Sequence, residues 1–203
     1  MPFNINSFKQ NGLIWGGARP SLFEVVVSAP PNIGIETTTS TVRMAFLCRA
    51  AELPEMNLSN IEIPYFGRKI KIAGERTFAD WGVTVMNDED FIVRSMFEAW
   101  SNAINRIIAN VRDINLSAEQ YKSDLQVIQY GKDGTILRGY TIVGAFPTTI
   151  GAIALDWDSA NAVETFSVNF AYDYWIPTPE LEAANPKSAG INLYSGLVNA
   201  GPQ

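Results

Sequence analysis

The residues whose types and spacing best suit chemistry are Asp156 and Asp158, which flank Trp157 in the run LDWDSAN. In a strand or at its end, side chains two positions apart point to the same side, as a metal site or a glycosidase carboxylate pair requires. The same residues are also ordinary turn chemistry, in which short polar side chains bond their own backbone before the next strand. The turn is the preferred reading, because nothing else in the chain completes a catalytic set. Histidine is absent, which removes the commonest general base and the commonest transition-metal ligand. Gly16-Gly17, Gly67 and the stretch from Gly131 to Gly134 do not stand between a strand and a helix with the Lys-Ser/Thr of a phosphate loop. The single cysteine, Cys48, closes no intrachain disulfide and lies in the apolar run MAFLC, where a small buried hydrophobe is expected. Trp15, Trp81, Trp100, Trp157 and Trp175 are not interleaved with basic residues, so they read as core or interface anchors and not as a stacking platform for single strands. No catalytic residue, metal site or cofactor is assigned, and an enzyme is not expected.

Composition sets the outer bounds. At 203 residues, with 47% hydrophobic and 18% charged residues, the chain has the make-up of one folded domain with short extensions. Lys and Arg number 15 against 21 Asp and Glu, a formal charge of −6, which disfavours a clamp on a phosphate backbone. No run of eighteen apolar residues occurs, and the opening MPFNINSFKQNG lacks the pattern of a signal peptide. A cytoplasmically made protein that does not insert in a membrane is expected.

The elements that must carry these residues are mostly strands. LFEVVV, Leu22 to Val27, is rich in β-branched residues and reads as a first strand. Residues 28–41, with Pro-Pro, Asn, Gly and a Thr/Ser cluster, read as a long surface loop, and the strand signal returns from Val42 to Arg49. Within residues 61–73, Ile70 and Ile72 alternate with Lys69 and Lys71, the mark of a half-buried strand. Trp81, Val83 and Val85 alternate in another, which stops at Asn87-Asp88. From Glu89 to about Ile108 the apolar residues Ile92, Val93, Met96, Phe97, Trp100, Ile104, Ile107 and Ile108 recur at helical spacing. Asn87 or Asp88 is expected to cap that helix, with Glu89 and Asp90 at the positive end of its dipole. DLQVIQY, GKDG and TILRGYTIVGAF predict a hairpin. Phe166, Val168, Phe170, Tyr172 and Tyr174 mark one face of a last strand. From Ile176 onward, Pro177, Pro179 and Pro186 predict an extended tail unless a neighbour pins it.

YFGRKIKIAGERTFADWGVTVMNDEDF, from Tyr65 to Phe91, closely resembles a segment of the tail tube protein of contractile-tailed phages. FPTTIGAIALDWDSANAVETFSVNFAYDYW, from Phe146 to Trp175, the opening ARPSLFEVVV from Ala18, and CRAAELPEMNLSNIEIPYFGRKI from Cys48 agree with the same family in order and spacing. The likeness spans roughly residues 18–175. It departs at the 28–41 loop, from Ala109 to Lys122, and after Trp175.

The resemblance implies a mainly β chain with one flanking helix, a β-sandwich or barrel-like tail tube fold, related to type VI secretion tube proteins. It divides the chain into an N-terminal arm (1–17), a tube domain (18–175) and a C-terminal extension (176–203). It further implies six copies to a ring and rings stacked in a tube inside a contractile sheath. The implied partners are the sheath, baseplate and tail terminator proteins, with a tape measure protein in the lumen before ejection. DNA passes without specific binding, and the location is the virion tail, assembled in the host cytoplasm. Family members contribute about four strands each to the inner wall. A barrel of roughly 24 strands at about 4.8 Å spacing and a tilt near 40° has a diameter of about 45 to 50 Å, wide enough for a duplex. Six copies of −6 give about −36 per ring, and carboxylates on the lumen would repel phosphate. Arg68, Lys69, Arg76 and Asp80 are candidates for pairs between copies, Gly74 for a tight turn, and Asp156 and Asp158 complete the assembly set. The alternatives are the tube of a tailocin or type VI-like injection machine, and a carbohydrate- or receptor-binding β-sandwich, which would stay compact and bind glycans.

Overall fold

A computed structural model describes residues 4–31, 37–112 and 116–178. In chain order its elements are α1 (Ile5–Asn11), β1 (Phe23–Val26), α2 (Thr37–Leu47), β2 (Cys48–Ala51), β3 (Asn57–Tyr65), β4 (Arg68–Thr77) and β5 (Trp81–Met86). There follow α3 (Ile92–Ile104), α4 (Ala118–Tyr121), β6 (Ser123–Tyr130), β7 (Ile136–Ile150), β8 (Thr165–Ala171) and β9 (Tyr174–Pro177). Strands dominate. Six run in the order β1-β6-β7-β8-β5-β2, with β9 joining along β7, and β3 and β4 form a separate two-stranded sheet.

The long strand β7 turns one sheet into two faces. Its residues Ile136 to Ala145 pair with β6 and Tyr140 to Val143 with β9, whereas Phe146 to Ile150 pair with β8. The change of partner follows Gly144, at φ +68°, whose N–H donates to Asp124 Oδ1 at 3.0 Å. A Cβ there would stand 2.4 Å from Asp173 Oδ2, so only glycine fits the bend. Between the faces lie Val25, Val27, Val83, Val85, Phe166, Val168 and Phe170, all buried. Phe97 of α3 meets Phe166 and Phe170 with ring centroids 6.4 and 5.8 Å apart. Trp100 lies 6.4 Å from Phe170 and donates to the Tyr121 carbonyl at 2.7 Å. Burying each such ring contributes about 2–3 kcal/mol.

Several expectations give way. VRMAFLCR, expected as a strand, is helical up to Leu47, because α2 turns Ser40 and Met44, four apart, inward and leaves Val42 and Phe46 exposed. Two helices therefore flank the core instead of one, joined where Arg43 pairs with Asp88 and Asp90. The expected 28–41 surface loop begins buried, at Ala29 and Pro30; residues 32–36 lie outside the described residues, and residues 37–41 belong to α2.

The helix expected to reach Ile108 stops at Ile104, and Ile107 and Ile108 are exposed. Asn102 competes for the backbone there, its Oδ1 accepting from the Ile107 N–H at 3.0 Å, and the turn that follows is tied side chain to side chain, Asn105 Nδ2 donating to Asn110 Oδ1 at 3.0 Å. At its other end Asp90 Oδ1 accepts from the Ile92 N–H at 3.1 Å, whereas Asn87 spends its amide on Glu164. The last strand breaks after Ala171. The Asp173 N–H donates to the Val143 carbonyl at 3.1 Å and its carboxylate receives Lys122 Nζ at 2.7 Å, which swings Tyr174 to Pro177 onto the other half of β7. The expected tail thus starts pinned, and residues 179–203 lie outside the described residues. The GKDG hairpin and the first strand form where expected.

Candidate functional site

The carboxylate pair is a turn. Asp156 Oδ1 accepts from the Asp158 N–H at 3.1 Å and the Asp156 carbonyl from the Ser159 N–H at 3.2 Å, leaving the Trp157 ring in solvent. Among the described residues no group of three or more His, Cys, Asp or Glu side chains is placed to hold a metal. Cys48 is half-buried; its thiol donates to the Ala50 carbonyl, and burial pushes its pKa up to about 11.

The surface with unmet demand is the β3–β4 hairpin. Its direct cross-strand pairs Ile61–Ile72, Ile63–Ile70 and Tyr65–Arg68 share one face, and Glu62–Lys71 and Pro64–Lys69 share the other. A half-buried strand is expected from this alternation, yet the four isoleucines are 55, 49, 44 and 50% exposed, because the hairpin stands clear of the core. Phe66, at the tip, is 93% exposed with its ring edge-on to Tyr65. An apolar face of this kind marks a contact surface in a folded protein.

Four of the seven sequence candidates fall on this hairpin. Arg68 and Lys69 flank the tip, with Lys69 Nζ 2.7 Å from Glu62 Oε2, and Arg76 lies opposite Leu58 near the root. Gly74 is not in a tight turn. It lies inside β4 at a bulge, where Ser59 Oγ donates to the Glu75 carbonyl at 2.9 Å and a Cβ on Gly74 would come within 2.5 Å of that hydroxyl. Asp80 follows the root, in a cleft with Glu52, Glu55 and Tyr172. Asp156 and Asp158 lie on the separate loop between β7 and β8.

Two root residues escaped the sequence reading in that role. Trp81 Nε1 donates to the Glu52 carbonyl at 2.7 Å and Trp175 Nε1 to the Glu55 carbonyl at 3.0 Å, strapping the irregular segment that enters the hairpin to β5 and β9. Trp175 also packs edge-on against Tyr140, 5.2 Å away. The two residues begin or nearly begin a strand, and their indole N–H groups were the only hint of a partner.

The second unmet demand is on the edges of the strands β2, β5, β8 and the end of β7. Among the described residues β2 pairs on one side only, with β5, and residues 146–150 of β7 pair only with β8. One face of this four-stranded array is the core. The other is polar and uncharged at its centre: the register aligns Ala50, Thr84 and Ser167 in one row and Gly82, Asn169 and Thr149 in the next. Glu52 and Asp80 border it.

Residues 18–178 match the family described as phage tail tube protein. The chain is 38% identical over 163 residues to the tail tube protein of Enterobacteria phage T4, covering 78% of this chain and 90% of that one. It is 23% identical over 169 residues to the tail tube protein of Serratia phage KSP90, covering 83% and 93%. In fold it is similar to the tube-terminating cap of the anti-feeding prophage, with a TM-score of 0.50 and 18% identity over 80% of this chain and 91% of that one.

Proposed function

The chain belongs to the phage tail tube protein family, and from that premise we propose that six copies join edge to edge into a ring and that rings stack into the channel of a contractile tail. The observation that carries the reading is the pair of free edges on one four-stranded array, β2 on one side and residues 146–150 on the other. Unpaired N–H and C=O groups along a strand invite another strand, and edges at both ends of the same array let a closed ring satisfy all of them. Four strands from each of six copies make a barrel of about 24 strands and about 48 Å across, wide enough for a DNA duplex.

In that barrel the core side, with α2 and α3, faces outward and the row of Thr84, Ser167, Gly82, Asn169 and Thr149 faces the channel. The centre of such a wall offers phosphate no cation to hold, and Arg49, exposed at the bulge of the edge strand β2, is the one cation on its strands, so the polymer slides without specific binding. The carboxylates Glu52 and Asp80 stand at its margin, where their charge repels phosphate. The tube domain is taken as residues 18–175, with an arm before and an extension after that reach outside or between rings. Sheath, baseplate and terminator proteins are the partners of the assembled tube, and a tape measure protein fills it before ejection. The chain does its work in the virion tail, after assembly in the host cytoplasm, with no catalytic step. Arg68, Lys69, Gly74, Arg76 and Asp80 act in contacts between copies, and Asp156 and Asp158 enter only through the exposed Trp157 their turn presents.

Electron microscopy of the purified chain tests the reading directly. Hollow six-fold rings or cylinders are expected; compact single chains at every concentration, with affinity for glycans, would overturn it in favour of a carbohydrate-binding module.

A further inference from the structure

The hairpin and the body it springs from carry opposite charge. Residues 57–77 hold four cations, Arg68, Lys69, Lys71 and Arg76, against Glu62 and Glu75, a net of +2, so the rest of the chain carries −6 − 2 = −8. Glu62 takes up Lys69 and Lys71. Arg68 and Arg76 meet no carboxylate among the described residues. The cleft at the root is lined by Glu52, Glu55 and Asp80, with Leu53, Pro54 and Ala79 between them and Tyr172 beside them. None of these three carboxylates meets a cation among the described residues. The Tyr172 hydroxyl is buried there with no hydrogen-bond partner among the described residues, and burial, then the charges of Glu55 and Asp80, push its pKa up.

A chain cannot fill its own cleft with its own tip. The nine residues of β3 separate them, about 30 Å of extended strand. We infer that the cleft receives the hairpin tip of a second copy, with the Arg68 guanidinium set among Glu52, Glu55 and Asp80 and the Phe66 ring laid on Leu53 and Pro54. A guanidinium has enough donors to serve two carboxylates and still reach a phenol oxygen. Because every copy carries one tip and one cleft, the contact is head-to-tail: each copy gives its tip to one neighbour and its cleft to another, and the same contact repeats through the assembly. The inference rests on the tube reading above and adds to it the residues that carry a contact outside the ring-closing edges.

A charge exchange tests it. Arg68→Glu alone and the Glu55→Lys, Asp80→Lys pair alone are each expected to cut sedimentable tube about tenfold, and all three changes in one chain to restore most of it. Circular dichroism and the urea midpoint of unassembled chains must match the parent; if the lysine pair misfolds, Glu55→Gln with Asp80→Asn replaces it and should weaken assembly in the same direction. Tubes of parental yield from Arg68→Glu would overturn the contact, as would a combined chain no better than its worse component. Those outcomes leave six-fold cylinders intact and so spare the tube reading, whereas a parent chain that never forms cylinders would remove that reading itself.

Discussion

The β3–β4 hairpin and the β5–β8 pair follow the same rule in sequence and meet opposite fates. In β4, Ile70 and Ile72 alternate with lysines; in β5, Trp81, Val83 and Val85 alternate with Gly82, Thr84 and Met86. The β5 face is sealed by α3 and by Phe166 and Phe170 across the sheet, whereas the β4 face finds only its own partner strand and stays about half exposed. Alternation thus specifies that a face will be covered, but not by whom. In one region the cover is the same chain; in the other the proposed tube would supply it from a neighbouring copy. The hydrophobic term that stabilises the fold in β5 goes largely unused by the single chain in β4.

Stability of the unassembled chain separates the two regions. The largest expected effect is in the sealed one: Phe170→Ala removes a fully buried ring touching Trp81, Phe97 and Trp100, and should cost about 3–5 kcal/mol in urea unfolding. A loss below about 1 kcal/mol would mean that this face is not the core. A middling effect belongs to the joint. Trp81→Phe keeps the ring but deletes the donor to the Glu52 carbonyl, and should cost about 1–2 kcal/mol while amide exchange over residues 52–56 speeds up. Unchanged exchange there would show that the indole does not hold the hairpin root.

What could be read from residues alone followed the same division. Where a pattern ends in the chain's own core, as in Trp81 to Val85 or Phe166 to Phe170, its period gave the element and the buried face together. It failed where side chains answer to something out of sequence. VRMAFLCR is apolar enough for a strand, but Arg43 is held by Asp88 and Asp90, 45 and 47 residues away, and the segment coils to bring Met44 inward. The α3 pattern ran on to Ile108 because periodicity counts isoleucines and does not see Asn102 taking the Ile107 N–H or Asn105 bonding the Asn110 side chain across the turn. Of the site, the charged residues of the hairpin were legible as residues, through family resemblance. The cleft that faces them was not, because Glu52, Glu55, Asp80 and Tyr172 come from three separate segments and only the fold collects them.

The smallest expected effect on the fold is the most telling one. Ile63→Thr with Ile72→Thr keeps β-branched side chains on both hairpin strands, so local strand preference is preserved while the exposed face becomes polar. Because both positions are already about half in water, unfolding of the unassembled chain should change by less than about 0.5 kcal/mol. Tube formation, by contrast, should fail under conditions where the parent polymerises, since that face loses the apolar area a neighbour would bury. If the doubly substituted chain is destabilised as strongly as Phe170→Ala, the hairpin packs on its own body and the two regions are alike. If it stays folded and still builds tubes of parental length, the isoleucine face is not a contact surface, and the cover it needs must be sought elsewhere than in a second copy.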